Sequence, residues 1–310
     1  MNQMSVIRPR LQMSAADWGR LLLLGAIWGG SFFFARIAVA EMPPLVLVFW
    51  RVVIAATALH VYLAFAGPSF RLAIPHWRAI TLLSILNNVI PFSLIFLGQT
   101  QLGAGLASVL NATTPFWTLM IANIMTRDEK LSWNKVLGII LGMVGTAIMI
   151  GPDLFSDLGA PVWAKFALVG ASLSYAFALM VAKRLTNLPP PVVATGQLTA
   201  STLVMLPIAM IGFGPAAMVS SSPQVWLAVT GLALLSTAFA YLLYFRLVTD
   251  AGATNASLVT LIVPVSAILL GTLFLGEHLQ PIEVLGMAVI AAGLVTIDGR
   301  LFGSATKRSR

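Results

Sequence analysis

Polar and aromatic side chains recur along one face of a predicted helix between residues 77 and 99, in an otherwise apolar segment. Spaced four, three and four residues apart, they are Asn88, Phe92, Ile95 and Gln99. Lipid offers no partners for amide groups, so this face should look into the protein and line a cavity. The competing interpretation is hydrogen bonding between neighbouring helices, which contributes about 0.6 kcal/mol per contact in membranes.

A second face of the same kind lies 149 residues further along the chain. It carries Thr237, Tyr241, Tyr244 and Val248, which align with the four residues above. Both faces are enriched in amide, hydroxyl or aromatic groups, so the same interpretation applies to both. The pattern predicts a cavity between the two helices, with room for a polar organic molecule.

Three prolines, Pro91, Pro115 and Pro264, are predicted to kink the helices around this cavity. A proline cannot donate to the carbonyl four residues earlier, so Pro115 frees the carbonyl of Asn111, close to Thr114. A freed carbonyl at membrane depth lines a cavity or finds a partner, and it can bind an ammonium group. The competing interpretation is a kink that only shapes helix packing.

One basic residue, Arg51, lies well inside a predicted membrane span. It could anchor a substrate carboxylate, or it could reach the interface or pair with a helix-end carbonyl or with Glu41. Trp28 and Tyr175 could supply aromatic walls, although single aromatic residues more often pack or lie at the interface. The predicted substrate-binding residues, with Arg51 as the carboxylate anchor, are Trp28, Asn88, Phe92, Gln99, Asn111, Thr114, Tyr175, Thr237, Tyr241, Tyr244 and Thr260.

Several kinds of chemistry are not indicated. There is no cysteine, and His60, His76 and His278 are too dispersed to share a metal ion. Every acidic residue falls at or beyond a predicted helix end, which favours facilitated diffusion over proton coupling. No phosphate-binding glycine loop is present. We therefore predict no catalytic residue, no metal site and no cofactor, and the chain should not be an enzyme.

Composition indicates a membrane protein. Of 310 residues, 59% are hydrophobic and only 9% are charged, too few to cover a water-facing surface. The net charge of +8 does not indicate nucleic acid, because the basic residues stand singly between apolar blocks. The expected partners are the lipid bilayer and a small-molecule substrate, with the protein acting as a monomer or homodimer.

Ten apolar blocks are long enough to cross a bilayer. The predicted spans are residues 18–39, 45–66, 77–99, 104–125, 134–150, 163–183, 191–212, 226–247, 254–275 and 282–299. With a cytoplasmic N-terminus, the outer side holds only Arg36 and Lys165, and nearly all other Lys and Arg residues face the cytoplasm. This asymmetry predicts that both termini are cytoplasmic, in a multi-pass protein of the bacterial inner membrane.

The chain repeats itself. A shift of 149 aligns 77–115 with 226–264, and Trp77 meets Trp226 while Pro115 meets Pro264. Five spans in each half make the second half enter the membrane in the opposite sense, as in many secondary transporters. The fold class predicted is all-α and polytopic, with ten transmembrane helices as two inverted five-helix repeats. The predicted units are a cytoplasmic tail (1–17), two repeats (18–152 and 163–299) and a basic cytoplasmic tail (300–310).

Short motifs carry a family resemblance that covers nearly the whole chain. They are Trp28-Gly29-Gly30-Ser31-Phe32, Pro43-Pro44, Trp50-Arg51, Ala107-Ser108 with Pro115, Ala256-Ser257 with Pro264, and Gly276-Glu277. The chain thereby resembles the drug/metabolite transporter superfamily, and the EamA-type exporters, with their bacterial amino-acid exporter branch, most of all. The second half departs from the pattern, since Gly196-Gln197 replaces Trp50-Arg51.

The resemblance implies export of amino acids or related small metabolites through a cavity formed by helices one to four and six to nine. The inverted repeat favours alternating access, in which the two halves rock around the substrate. The alternatives are a transporter of drugs, cations or nucleotide-sugar-like metabolites and, more distantly, an intramembrane lipid-modifying enzyme. The enzyme would need clustered acid/base groups or metal ligands within the spans.

Overall fold

The computed structural model describes residues 14–125, 133–150, 161–251, 256 and 259–298, and within these ranges the chain is helical with no strand. The helices are α1 (Ala15–Ala38), α2 (Pro44–Ala66), α3 (Trp77–Ser84), α4 (Ile90–Gln99), α5 (Ala104–Asn111), α6 (Thr114–Met125), α7 (Trp133–Ile150), α8 (Val162–Ala182), α9 (Pro190–Val219), α10 (Pro223–Thr230), α11 (Ala240–Ala251), α12 (Val259–Leu275) and α13 (Pro281–Asp298).

Length and composition make this a polytopic membrane protein. Six segments of the described chain are long and apolar enough to cross a bilayer: Ala15–Ala38, Pro44–Ala66, Phe70–Gln99, Val162–Leu185, Pro190–Val219 and Pro223–Val248. Shorter apolar helices run over Val136–Ile148, Ile262–Leu275 and Pro281–Thr296. Large apolar side chains such as Phe65, Ile124 and Ile211 stand exposed, as expected of a surface that faces lipid.

Helix starts follow local sequence signals. Ser14 caps α1 by accepting from the amide of Asp17, whose carboxylate accepts in return from the Ser14 amide. Helices α2, α9 and α10 each begin with a proline, whose fixed φ suits the first turn. Proline lacks a backbone N–H, but an N–H at this position would have no acceptor within the helix. Ser222 caps α10.

Glycines bring two pairs of helices into close contact. In α1, Gly25 lies against Ile262 and Gly29 against Val263 and Ser266, all three on α12. Between α7 and α13, Gly293 lies against the backbone of residues 138 and 142. The contact between α7 and α13 is therefore made within one chain. Other long contacts join α2 to α9, α8 to both α4 and α6, and α1 to α11.

One predicted span is not a continuous helix. Residues 104–125 divide into α5 and α6 at a turn formed by Ala112 and Thr113, just before Pro115. The proline lacks the N–H that an unbroken helix would need at this point. Asn111, the last residue of α5, and Thr114, the first of α6, lie on either side of this turn.

A carboxylate joins the end of α12 to the beginning of α5. Glu277 follows Gly276, whose φ of 65° suits glycine alone, and accepts from the amides of Ala104 (2.7 Å) and Gly105 (3.2 Å). These amides have no partner within their own helix, and the helix dipole favours a negative charge there.

We expect Glu277→Ala to lower the free energy of unfolding by about 1–2 kcal/mol, because two helical amides lose their acceptor. Thermal unfolding of the purified protein measures this. Glu277→Gln is the matched variant: it keeps one acceptor oxygen and should lose less stability. Equal stability of Glu277→Ala and the native protein would contradict the role assigned to the carboxylate.

Candidate functional site

A cavity of about 430 Å³ lies between the helices of the two halves of the chain. Helices from α1 to α6, α8, α9, α11 and α12 contribute to its walls, which combine aromatic rings with amides and hydroxyls. This volume is typical of a site for a small organic molecule. The sequence-predicted residues that line it are Trp28, Arg51, Phe92, Gln99, Asn111, Thr114, Tyr175, Tyr241, Tyr244 and Thr260.

Two predicted site residues, Asn88 and Thr237, are not among the residues that line the cavity and lie behind its wall. Asn88 is fully buried, donates to Ser201 Oγ (3.0 Å) and accepts from the hydroxyl of Tyr241 (3.3 Å). Thr237 is also fully buried and accepts from the Nε of Arg51 (3.0 Å). For these two residues, the alternative of hydrogen bonding between helices describes the structure.

A π-helical turn explains the displacement of Asn88. Residues Ile85–Val89, between α3 and α4, form this turn, in which backbone bonds span five residues instead of four. The extra residue rotates α3 relative to α4, so the face calculated for a regular α-helix is broken. Asn87 therefore lines the cavity in place of Asn88 and donates to Gln197 Oε1 (3.0 Å).

A second π-helical segment, Gly231–Phe239, joins α10 to α11. Thr237 donates its hydroxyl proton to the carbonyl of Leu232, five residues earlier (2.9 Å). A shift of 149 residues carries the first π-turn into this second one, so both halves of the chain have the same irregularity beside the cavity. Such turns are frequent at functional sites.

The carbonyls near Pro91 and Pro115 have partners. Ser174 Oγ donates to the carbonyl of Leu86 within the π-turn (2.7 Å). The carbonyl of Asn111 accepts from Thr114 Oγ1 (2.7 Å) and from a serine of α8 (3.1 Å). These oxygens are therefore already satisfied, which removes the argument for an ammonium site at them. Pro264 lies inside the uninterrupted helix α12.

Arg51 points into the protein and is only 8% exposed. Its guanidinium carbon lies 3.6 Å from the centroid of the Phe92 ring, a close cation–π contact, and its Nε donates to Thr237. Glu41 does not approach it, because that carboxylate accepts from the amide and hydroxyl of Ser222. Neither reaching the interface nor pairing with Glu41 describes Arg51, and within the described residues it donates to no backbone carbonyl.

Aromatic rings form another part of the wall. The rings of Trp28 and Tyr244 are 5.4 Å apart and tilted by 38°, which joins α1 to α11 across the cavity. Tyr175 from α8 and Tyr241 from α11 also line it. A ligand with a flat or apolar body would find contact surface here beside the polar groups.

One end of the cavity is closed by hydrogen bonds. Gln99 Nε2 donates to the carbonyl of Phe32 (2.8 Å), and Arg36 donates to the carbonyl of Gln99 (2.7 Å). At the other end, the cavity reaches the half-buried residues Ala182 and Val193, where α8 ends and α9 begins. Within the described residues, the lining therefore reaches the ends of α8 and α9 on one side, and the bonds of Gln99 and Arg36 lie on the other.

The lining is almost uncharged. Across the described ranges, Arg51 is the one charged residue that lines the cavity, and no acidic side chain does. No group of three metal-binding side chains comes together among the same residues. The arrangement can bind a polar molecule and stack against it, and it holds no acid/base pair within these ranges.

Among the polar lining residues that the sequence prediction missed are Ser31, Asn87, Gln197 and Ser236. Signals existed for two of them. Ser31 belongs to the motif that begins at Trp28, and Gln197 stands in the second half where Arg51 stands in the first. Arg51 and Gln197, which occupy equivalent positions in the two halves, therefore both line the cavity although they differ in charge.

Comparison with known proteins places these features in context. The model of the EamA-like transporter family matches residues 18–151 and 162–297. The uncharacterized inner membrane transporter YedA of Escherichia coli (strain K12) is 30% identical, over 92% of both chains. The S-adenosylmethionine/S-adenosylhomocysteine transporter of Chlamydia trachomatis is 26% identical, over 91% of this chain and 87% of its own.

A further relative and a solved structure agree in extent. The uncharacterized transporter YoaV of Bacillus subtilis (strain 168) is 23% identical, over 86% of this chain and 91% of its own. A solved crystal structure superposes with a TM-score of 0.65 at 18% identity, covering 92% of this chain and 99% of the other. At this identity, the superposition supports the fold alone.

Proposed function

Because the chain belongs to the EamA-like transporter family, we propose that it is a secondary transporter that exports small metabolites by alternating access. The observation that carries this proposal is the cavity of about 430 Å³, lined by amide, hydroxyl and aromatic groups from both halves of the chain. Secondary transporters built from inverted repeats bind their substrates at such an interface.

The proposed topology has ten spans, five in each half, and both termini cytoplasmic. In this count, α3 with α4, α5 with α6, and α10 with α11 each form one span. The units are the predicted tails, 1–17 and 300–310, and the predicted repeats, 18–152 and 163–299. The two segments matched by the family model support this division.

Helix contacts supply independent support for an inverted repeat. Its symmetry would exchange α1 with α8, α6 with α12 and α4 with α11. The contact of α1 with α12 then becomes that of α8 with α6, and the contact of α4 with α8 becomes that of α11 with α1. All four contacts occur. The pairs α2 with α9 and α7 with α13, each of which maps onto itself, are also in contact.

The proposed conformation is inward-facing. With cytoplasmic termini, Ala182 and Val193 belong to the cytoplasmic side, and the bonds of Gln99 and Arg36 lie towards the outer side. A cavity that reaches the first pair and is closed at the second would receive substrate from the cytoplasm. This direction of access suits an exporter.

Amino acids or related metabolites are the proposed substrates, carried across the bacterial inner membrane. The Escherichia coli relative is named an inner membrane transporter, which supports the location. The Chlamydia trachomatis relative is named a transporter of S-adenosylmethionine and S-adenosylhomocysteine, which are amino-acid derivatives, and this supports the substrate class. Drugs, cations and nucleotide-sugar-like metabolites are the alternatives within transport. The lipid-modifying enzyme has no support from the described lining, which contains no acid/base pair.

Reconstitution tests the proposal. Purified protein in liposomes should move radiolabelled amino acids faster than empty vesicles do. If none of a panel of the common amino acids shows protein-dependent flux, the proposal that amino acids are the substrates is wrong. Protein-dependent flux of another metabolite would still support the proposal that the protein is a transporter.

We expect the flux to persist when the pH difference across the liposome membrane is abolished with an ionophore. Proton-driven transporters keep a carboxylate within the membrane, and no carboxylate lines the described part of the cavity. The rate should be the same with and without the pH difference. Strict dependence of the flux on that difference would contradict facilitated diffusion.

A further inference from the structure

Arg51 brings an uncompensated positive charge into the cavity wall. Guanidinium groups stay protonated in proteins, and this one is more than nine-tenths buried. In the part of the chain that the structure describes, no carboxylate forms an ion pair with it. Burying a charge without a partner is unfavourable, so the site is poised to gain stability from a ligand that supplies the opposite charge.

The contacts that Arg51 does make orient the group and leave its charge in place. Thr237 accepts only from Nε, and the Phe92 ring covers one face of the plane. The two terminal nitrogens make no hydrogen bond with the described residues. A guanidinium held flat, with its forked end open, matches the two oxygens of a carboxylate.

Neutral donors and acceptors surround this charge. Asn87 occupies the oxygen of the Gln197 amide, so the amide nitrogen of Gln197 remains available to donate to a bound anion. Elsewhere in the lining, Asn111 Oδ1 is buried and has no hydrogen-bond partner among the described residues. An unsatisfied acceptor of this kind favours a ligand with an N–H or O–H group.

We infer that Arg51 binds the anionic group of the transported molecule and that the cavity selects organic anions and zwitterions over molecules with only a positive charge. The inference rests on the proposed function and narrows its substrate class. It argues against the cationic alternative, because a cation would add like charge beside Arg51 with no acidic residue in the described lining to offset it. Asn111 would accept from a donor elsewhere on the same molecule.

Three probes that share a phenyl ring separate the charges: phenylpropanoate is an anion, phenylalanine a zwitterion and phenethylamine a cation. Binding to the purified full-length protein is measured by calorimetry. We expect phenylpropanoate and phenylalanine to bind at least about tenfold more tightly than phenethylamine, since charge-assisted hydrogen bonds contribute that much. If neither binds more tightly than phenethylamine, the inference is wrong.

Substitutions assign the effect to the residue. Arg51→Gln should weaken phenylpropanoate binding at least about tenfold, and Arg51→Lys, which keeps the charge, should lose less. Arg246→Gln is the matched control, because Arg246 is exposed and pairs with Asp250 rather than lining the cavity. Unchanged phenylpropanoate affinity in Arg51→Gln would overturn the assignment.

Thermal unfolding without ligand distinguishes a loss of binding from misfolding of the variant. Replacing an uncompensated buried charge with an apolar side chain of similar length should stabilise the protein, so Arg51→Met should melt at or above the temperature of the native protein. A clear fall in that temperature would show that the contacts of Arg51 stabilise the fold and would count against an uncompensated charge. If the protein transports substrates but shows no preference for anions, this inference is wrong and the transporter proposal stands. If it binds anions but transports nothing, the transporter proposal is wrong and the role of Arg51 in anion binding stands.

Discussion

Gly29→Val should be the most destabilising of the substitutions considered, lowering the free energy of unfolding by about 3 kcal/mol or more. A Cβ at position 29 would lie 2.7 Å from the carbonyl oxygen of Val263 and 2.8 Å from the amide nitrogen of Ala267, and nearer still to Ser266 Oγ. Backbone atoms cannot move aside by changing rotamer. Helix α1 would have to separate from α12, and the Ser266 bond to the carbonyl of Gly25 would be lost.

Thermal unfolding of the purified protein measures this effect, and the same helix offers a matched control. Gly19 has no heavy atom within 4 Å of its would-be Cβ, so Gly19→Ala should leave stability unchanged or raise it by about 0.5–1 kcal/mol. A Gly29→Val protein as stable as the native one would mean that α1 and α12 do not approach this closely.

Much of the helical architecture could be predicted, because helix length and charge position are imposed by the bilayer rather than by details of packing. A segment needs enough apolar residues to cross, and every backbone group in lipid must be bonded within a helix. Residues 18–39 and 45–66 were accordingly predicted within a few residues of α1 and α2.

The irregular helices could not be predicted from periodicity. The i, i+4, i+7 pattern assumes one geometry along the whole segment, whereas the turn at Ile85–Val89 inserts an extra residue. The difference from a regular α-helix is local. Asn87 lines the cavity and Asn88 lies behind its wall, whereas Phe92 and Gln99, which follow the turn, line the cavity. Proline at position 91 marked the region without revealing the register.

Contacts between particular side chains also could not be predicted from the sequence. Arg51 was the one Lys or Arg residue predicted well inside a span, but only the structure shows that Phe92 covers it and that Glu41 bonds elsewhere. In the motif that begins at Trp28, residues with different roles are close neighbours in the sequence. Gly29 allows the approach of α12, while Ser31, two residues on, lines the cavity. Resemblance to a family marks such residues together but does not separate their roles.

Ser31→Trp should reduce flux at least about tenfold and leave the protein folded. Ser31 is a half-buried lining residue whose hydroxyl donates only to the carbonyl of Trp28, within its own helix (2.6 Å). An indole at this position would enter empty space rather than displace packed atoms, and it would take up room that the substrate needs. Liposome flux, together with thermal unfolding of the same preparation, measures the effect.

Ser31→Ala is the control that separates occlusion from loss of the hydroxyl. It removes one intrahelical hydrogen bond and adds no volume, so its flux and stability should stay near those of the native protein. Flux that falls equally in both variants would assign the effect to the hydroxyl instead. Full flux in a folded Ser31→Trp protein would mean that the substrate does not pass through the cavity between α1 and α11, and the site proposed here would have to be moved.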